Sequence, residues 1–192
     1  MKNFAGSWEP GNDRNNRDYK LKNVILIGFM GSGKSSVGYR LSYALKRSLC
    51  DTDSLIERRE GRKISRIFAE EGEQYFRDLE TSTLKRMLEK REYRRCILSL
   101  GGGTPLREEN RKLLKQLGTV YYLRVTPEMV WERLKGDTTR PLLQTEDPQR
   151  TIRELLEKRD PIYMDAADIV VECSGKEQDE IVEFIRKKTV EK

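Results

Sequence analysis

Apolar residues fall into short runs rich in β-branched and aromatic side chains, separated by stretches where they recur at helical spacing. Val24-Ile25-Leu26-Ile27 is the first run and predicts a strand over 23–28. Further strands are predicted at Ser48-Leu49-Cys50, at Cys96-Ile97-Leu98-Ser99-Leu100, over 119–125 and at Asp168-Ile169-Val170-Val171-Glu172. Between them lie helical patterns. The stretch 34–47 carries Val37, Leu41, Ala44 and Leu45 on one face; others cover 54–60, the charged segment 61–92, 107–117, 127–135, 148–159 and 176–188. Pro161 is expected to stop the helix that starts at 148. Strands alternating with helices predict an α/β fold built on a parallel sheet.

The turn after the first run narrows this further. Gly28-Phe29-Met30-Gly31-Ser32-Gly33-Lys34-Ser35-Ser36 satisfies the phosphate-loop pattern G-x-x-x-x-G-K-[ST], and it lies between a strand and a helix, where that pattern has meaning. Glycines let successive N–H groups and the positive end of the helix converge on phosphate oxygens. Lys34 adds a mobile charge for the β- and γ-phosphates, and the Ser35 hydroxyl is a hard ligand suited to the Mg²⁺ that accompanies a nucleoside triphosphate. Gly31, Ser32, Gly33, Lys34, Ser35 and Ser36 are therefore the candidate ATP contacts. The bland alternative is a glycine-rich turn with no ligand.

A P-loop enzyme needs an acidic residue near the metal, and the strand at 96–100 ends instead in Gly101-Gly102-Gly103. Asp51 is the best-placed substitute. Asp53 then faces a second substrate, where it could take the proton of an attacking hydroxyl. Asp51-Thr52-Asp53 also suits a plain helix N-cap. Three consecutive glycines suggest close approach of a ligand to the main chain, with a tight turn as the alternative. Arg77 and Glu80 share a helix face at i and i+3, which an ordinary ion pair would explain equally well. The polar, helix-breaking stretch from Gly136 has the composition of a lid, on which Arg140 could steady a transferring phosphoryl group or be a solvated loop residue.

Composition removes several alternatives. The 192 residues suffice for one full α/β domain. Charged residues make up 36% and mean hydropathy is −0.77, and no stretch approaches the roughly 18 apolar residues of a membrane span. Residues 1–20 have no apolar signal-peptide core and read as a flexible N-terminal tail, so a cytoplasmic location is expected. A net charge of +6 suits anionic substrates; acidic and basic residues are interspersed, so nucleic acid is not the expected partner. Cys50, Cys96 and Cys173 are widely spaced and fit reduced thiols. The chain has no histidine, which excludes any histidine-based triad.

Taken together, the phosphate loop, Asp51-Thr52-Asp53, Glu71-Gly72-Glu73 with Phe76-Arg77 and Glu80, Gly101 to Gly103, Arg140-Pro141-Leu142-Leu143, and Arg159 with Pro161 and Tyr163 resemble the shikimate kinases from about Asn23 onward. The resemblance implies a P-loop nucleoside-monophosphate-kinase-like fold with a five-stranded parallel sheet flanked by helices. A helical substrate-binding insertion would span about 52–92 and a lid about 136–147, within a single domain over 21–192. It implies transfer of the γ-phosphoryl group of ATP to the 3-hydroxyl of shikimate, with Mg²⁺, by a monomer. Asp53, Arg77, Arg159 and Gly101 to Gly103 would hold shikimate, the arginines on its carboxylate. Arg133 would lie against adenine, Arg140 would reach the phosphates, and Asp51 would reach the metal through water. Asp53, Lys34 and Arg140 would be the catalytic residues. Ser36 departs slightly from the family, where threonine is frequent. Other small-molecule kinases, such as a gluconate kinase or a nucleoside monophosphate kinase, and a nucleotide-dependent binding or switch module remain the alternative readings.

Overall fold

The computed structural model describes residues 22–137 and 144–190. Five parallel strands form one sheet: β1 (Asn23–Ile27), β2 (Leu49–Asp51), β3 (Ile97–Ser99), β4 (Gly118–Arg124) and β5 (Ile169–Glu172), in the order β2-β3-β1-β4-β5. Helices cover the sheet, so β1 and β3 are buried along their whole length. That is why they read as near-continuous apolar runs and do not alternate. The helices are α1 (Lys34–Leu45), α2 (Thr52–Glu60), α3 (Ile64–Glu89), α4 (Glu108–Leu117), α5 (Pro127–Leu134), α6 (Pro148–Ala166) and α7 (Gln178–Val190).

Register decides where the chemistry gathers. Leu26 of β1 and Asp51 of β2 both pair with Ser99 of β3, so these three strands end level with one another. The segments leaving them, the phosphate loop, the start of α2 and the glycine loop, therefore emerge side by side at the carboxyl edge of the sheet, the usual ligand edge of open α/β folds. At the opposite end Asn23 ties three strands together: its Nδ2 donates to Leu117 O at 3.0 Å beside the start of β4, and its Oδ1 accepts from Cys96 N at 2.9 Å beside the start of β3.

Two helices differ from a purely local reading. The segment 61–92 begins just after α2 and holds α3, which is broken at Gly72 (φ 82, ψ 178), a left-handed conformation that favours glycine. Pro161 does not stop α6, which runs on to Ala166. A proline inside a helix costs about 3 kcal/mol. Here the continuation is held by tertiary contacts: Tyr163 and Ala166 are fully buried, and Asp160 accepts from Tyr122 Oη at 2.7 Å and from Arg124 Nε at 3.0 Å. The expected tail over 1–20 and residues 138–143 of the expected lid, including Arg140, lie outside the described residues.

Candidate active site

The phosphate loop follows fully buried β1, so its base is set in the core. Gly31 and Gly33 adopt φ 72 and 91, and Gly33 leads directly into α1 without a capping side chain. No acidic residue lies in the first turn of α1. The backbone N–H groups and positive dipole of that turn therefore face the cleft with no carboxylate of the helix to compete for them. Lys34 reaches back across its own loop and donates to Gly28 O at 2.9 Å and Phe29 O at 3.0 Å. Ser35 and Ser36 line the cleft. Ser32 was expected among the ATP contacts, but its side chain is buried beneath the loop, 3.4 Å from Lys34 Nζ, and its N–H donates to Phe29 O at 3.2 Å. Here it shapes the loop from within. Arg133 of α5 donates to Gly31 O at 2.8 Å and so stands beside the loop.

The acidic triplet serves two purposes. Asp51 caps α2, accepting from Ser54 N at 3.0 Å, and it lines the cleft as well. Thr52 points into the protein, where its Oγ1 donates to Ser99 O at 3.4 Å and accepts from Gly101 N at 3.1 Å. Asp53, on the other side of Thr52, returns to the cleft. The capping and functional readings of this triplet are thus compatible, because one residue turns inward to tie β2 to β3 while its neighbours face out.

Arg77 and Glu80 of α3 form the opposite wall with the glycine loop. Arg77 NH1 donates to Glu80 Oε2 at 2.7 Å, and Glu80 accepts in addition from Thr104 Oγ1 at 2.5 Å. Burial alone would lower the pKa of the Arg77 guanidinium; the Glu80 and Glu73 carboxylates outweigh it and leave the pKa raised. The ion pair is real, and with Glu80 only 1% exposed it is far from an ordinary surface pair. Space explains the glycines. A Cβ at Gly101 would lie 2.6 Å from Asp53 Oδ1, and one at Gly103 would lie 2.0 Å from Arg77 NH1. Gly102 offers its carbonyl to Tyr163 Oη at 2.7 Å. Arg159 of α6 places its guanidinium 5.7 Å from the centre of the Phe29 ring, beside the phosphate loop.

These segments enclose a cleft of about 620 Å³. Gly31, Gly33, Lys34, Ser35, Ser36, Asp51, Asp53, Arg77, Gly101, Gly102, Gly103, Arg133 and Arg159, drawn from most of the length of the chain, all line it. Ile64, Phe68 and Phe76 add an apolar lip; Phe76 belongs to the motifs of the resemblance, while Ile64 and Phe68 were not among the candidate site residues. Phe68 and Phe76 pack with ring centroids 4.9 Å apart. For Phe68 the sequence signal is an aromatic residue inside a charged helix, which the core would explain equally well. The same cleft thus offers backbone N–H groups with Lys34, a carboxylate, and arginines together with an apolar surface. It can hold a polyphosphate next to a small acidic molecule.

The family model described as shikimate kinase matches residues 30–189. The chain is 43% identical over 167 residues to a shikimate kinase of Thermodesulfovibrio yellowstonii, covering 87% of this chain and 94% of the relative. It resembles the solved shikimate kinase from Acinetobacter baumannii in complex with shikimate, with a TM-score of 0.82 and 36% identity over 90% of this chain and 95% of that one. A gluconokinase from Sinorhizobium meliloti 1021 reaches a TM-score of 0.53 at 16% identity, over 88% of this chain and 92% of that one, and shares the fold alone.

Proposed function

The chain belongs to the shikimate kinase family, and we propose that the residues gathered in this cleft carry out that family's reaction, transfer of the γ-phosphoryl group of ATP to the 3-hydroxyl of shikimate. The observation that carries the assignment of parts is the packing of Asp53 and Arg77 against the glycine loop beside Lys34: hydroxyl-facing, carboxylate-facing and phosphate-facing groups share one cleft.

The triphosphate lies on the N–H groups of Gly31, Gly33 and the first turn of α1, with Lys34 leaving its backbone carbonyls for the β- and γ-phosphates. Arg133 lies against adenine. The shikimate carboxylate is received by Arg77 and Arg159, whose planar forks suit two parallel hydrogen bonds. Its ring rests on Ile64, Phe68 and Phe76, and its hydroxyls face Asp53 and the Gly101 to Gly103 backbone. Asp53 orients the 3-hydroxyl and accepts its proton as the oxygen bonds to the γ-phosphorus. The bond to the β–γ bridging oxygen breaks, and ADP leaves with the electron pair. Positioning and electrostatics supply most of the acceleration in such a transfer.

Ser35 and Asp51 are hard oxygen donors on the cleft wall, as Mg²⁺ requires, and would hold the ion, Asp51 through a water. The ion bound there would neutralise charge on the phosphates. The segment 52–92 serves as the substrate-binding insertion and 136–147 as the lid that brings Arg140 to the phosphates. The enzyme acts as a cytoplasmic monomer. No helix of the described residues is long and apolar enough to cross a membrane.

Release of ADP from MgATP, followed by a coupled assay with shikimate, gluconate, AMP or no acceptor, tests this reading. Strong stimulation by shikimate is expected. Stimulation by gluconate or AMP alone would move the assignment to another kinase, and ATP binding without any acceptor effect would favour a nucleotide switch.

A further inference from the structure

Arg77 holds two carboxylates of its own helix, and they are held in different ways. Glu80 takes NH1, is buried, and is fixed a second time by Thr104. Glu73 takes both Nε and NH2 through its Oε1, at 3.2 and 2.8 Å, while its side chain is 67% exposed. Glu73 directly follows the break at Gly72, so it heads the second half of α3 one turn before Arg77.

The Nε and NH2 groups of a guanidinium point the same way and form an edge on which a carboxylate makes two parallel hydrogen bonds. Glu73 sits on that edge. The remaining surroundings of Arg77 are filled by Gly103 against NH1, the Phe76 ring at 5.6 Å from Cζ, and Glu80. One guanidinium with two carboxylates is also a net negative group. A carboxylated acceptor arriving without displacing either would add a third negative charge.

We propose that Glu73 is a displaceable stand-in for the acceptor's carboxylate: it occupies the two-bond edge of Arg77 and yields it to solvent-side exchange when a carboxylated acceptor binds. The inference rests on the reading that Arg77 receives that carboxylate. The exchange swaps one anion for another, so the charge around Arg77 stays constant. An uncharged acceptor cannot drive it. Glu73 is therefore an affinity-setting residue that never touches the reacting atoms: it competes with an acid for Arg77 and lowers affinity for carboxylated acceptors, while a neutral ring alcohol that leaves it in place is unaffected. Glu80, buried and doubly bonded, does not exchange.

Binding of shikimate and of its neutral methyl ester is to be measured by calorimetry on the full chain and on Glu73→Gln and Arg77→Ala. Glutamine keeps the length and an accepting oxygen while removing the charge. Shikimate Kd is expected to fall about two- to fivefold in Glu73→Gln, the strength of an exposed ion pair, and the methyl ester Kd is expected to hold. An unchanged or raised shikimate Kd overturns the inference, a rise meaning that Glu73 orients Arg77. Equal tightening of the ester overturns it too. If Arg77→Ala leaves shikimate binding intact, the carboxylate reading itself fails. Loss of binding there, with no gain in Glu73→Gln, refutes only the role of Glu73.

Discussion

Tyr163 Oη donates to the carbonyl of Gly102 at 2.7 Å, across 61 positions of the chain. The bond ties α6, which carries Arg159, to the glycine loop after β3, so these two parts of the cleft wall keep a common register. Burial raises the pKa of the Tyr163 phenol and Arg159 draws it part of the way back, leaving it a protonated donor at neutral pH. In Tyr163→Phe the ring still fills its site while Gly102 loses its donor, a loss of about 1–3 kcal/mol. Shikimate KM is expected to rise and ATP KM to hold. If neither KM moves while Tm drops, the bond is structural only.

Gly103→Ala brings a methyl group against Arg77 NH1, and the guanidinium has to leave. Calorimetry should find shikimate binding weakened at least about tenfold, or ~1.4 kcal/mol, with ATP binding kept. Retained shikimate affinity would mean that Arg77 does not hold the acceptor.

Asp53→Asn keeps the shape of the side chain and removes the proton acceptor. Steady-state kinetics should show kcat lower by about 10²–10⁴, the usual worth of a positioned acid or base. Near-normal kcat in a natively folded variant would end that role for Asp53.

Thr52→Val keeps the volume of a nearly fully buried side chain and strips Gly101 N of its acceptor. Urea unfolding should register a loss of about 1–3 kcal/mol. A smaller loss would mean that β2 and β3 are held at this end by their ladder alone.

Burial, with a smaller contribution from neighbouring Cys96, pushes the Cys50 thiol up to about 12, and burial pushes Cys173 to about 11. The folded chain keeps these protons at pH values where an unfolded thiol, with its ordinary pKa of 9.0, gives them up. Their contribution to stability is fully present below pH 9.0 and is lost as the pH rises from there through about 11 and 12. The urea midpoint should therefore fall between pH 8 and pH 10.5, less steeply in Cys50→Ala; equal slopes would show that Cys50 does not contribute.

Much of this protein could be read from neighbours along the chain. Val24 to Ile27 followed by Gly31, Gly33, Lys34 and Ser35 announces a strand, a phosphate loop and a helix, because all three depend on local spacing and backbone freedom. The order of the elements follows in the same way from hydrophobic period. Asp51 and Asp53 were legible as a pair, while the inward turn of Thr52 between them was not, since its partners are Ser99 and Gly101. Arg77 with Glu80 had two readings that only burial separates, and burial is contributed by Thr104 and Gly103 from another part of the chain.

The sequence by itself determined the element order, the parallel α/β class, the phosphate loop and the set of residue types available for chemistry, because each rests on interactions a few positions apart. Tertiary structure alone decided that α6 passes through Pro161, that Ser32 turns beneath its loop, that Phe68 joins the cleft, and that Tyr163 meets Gly102. Those outcomes depend on which distant surfaces pack together, and a buried partner tens of residues away outweighs a local preference of a few kcal/mol.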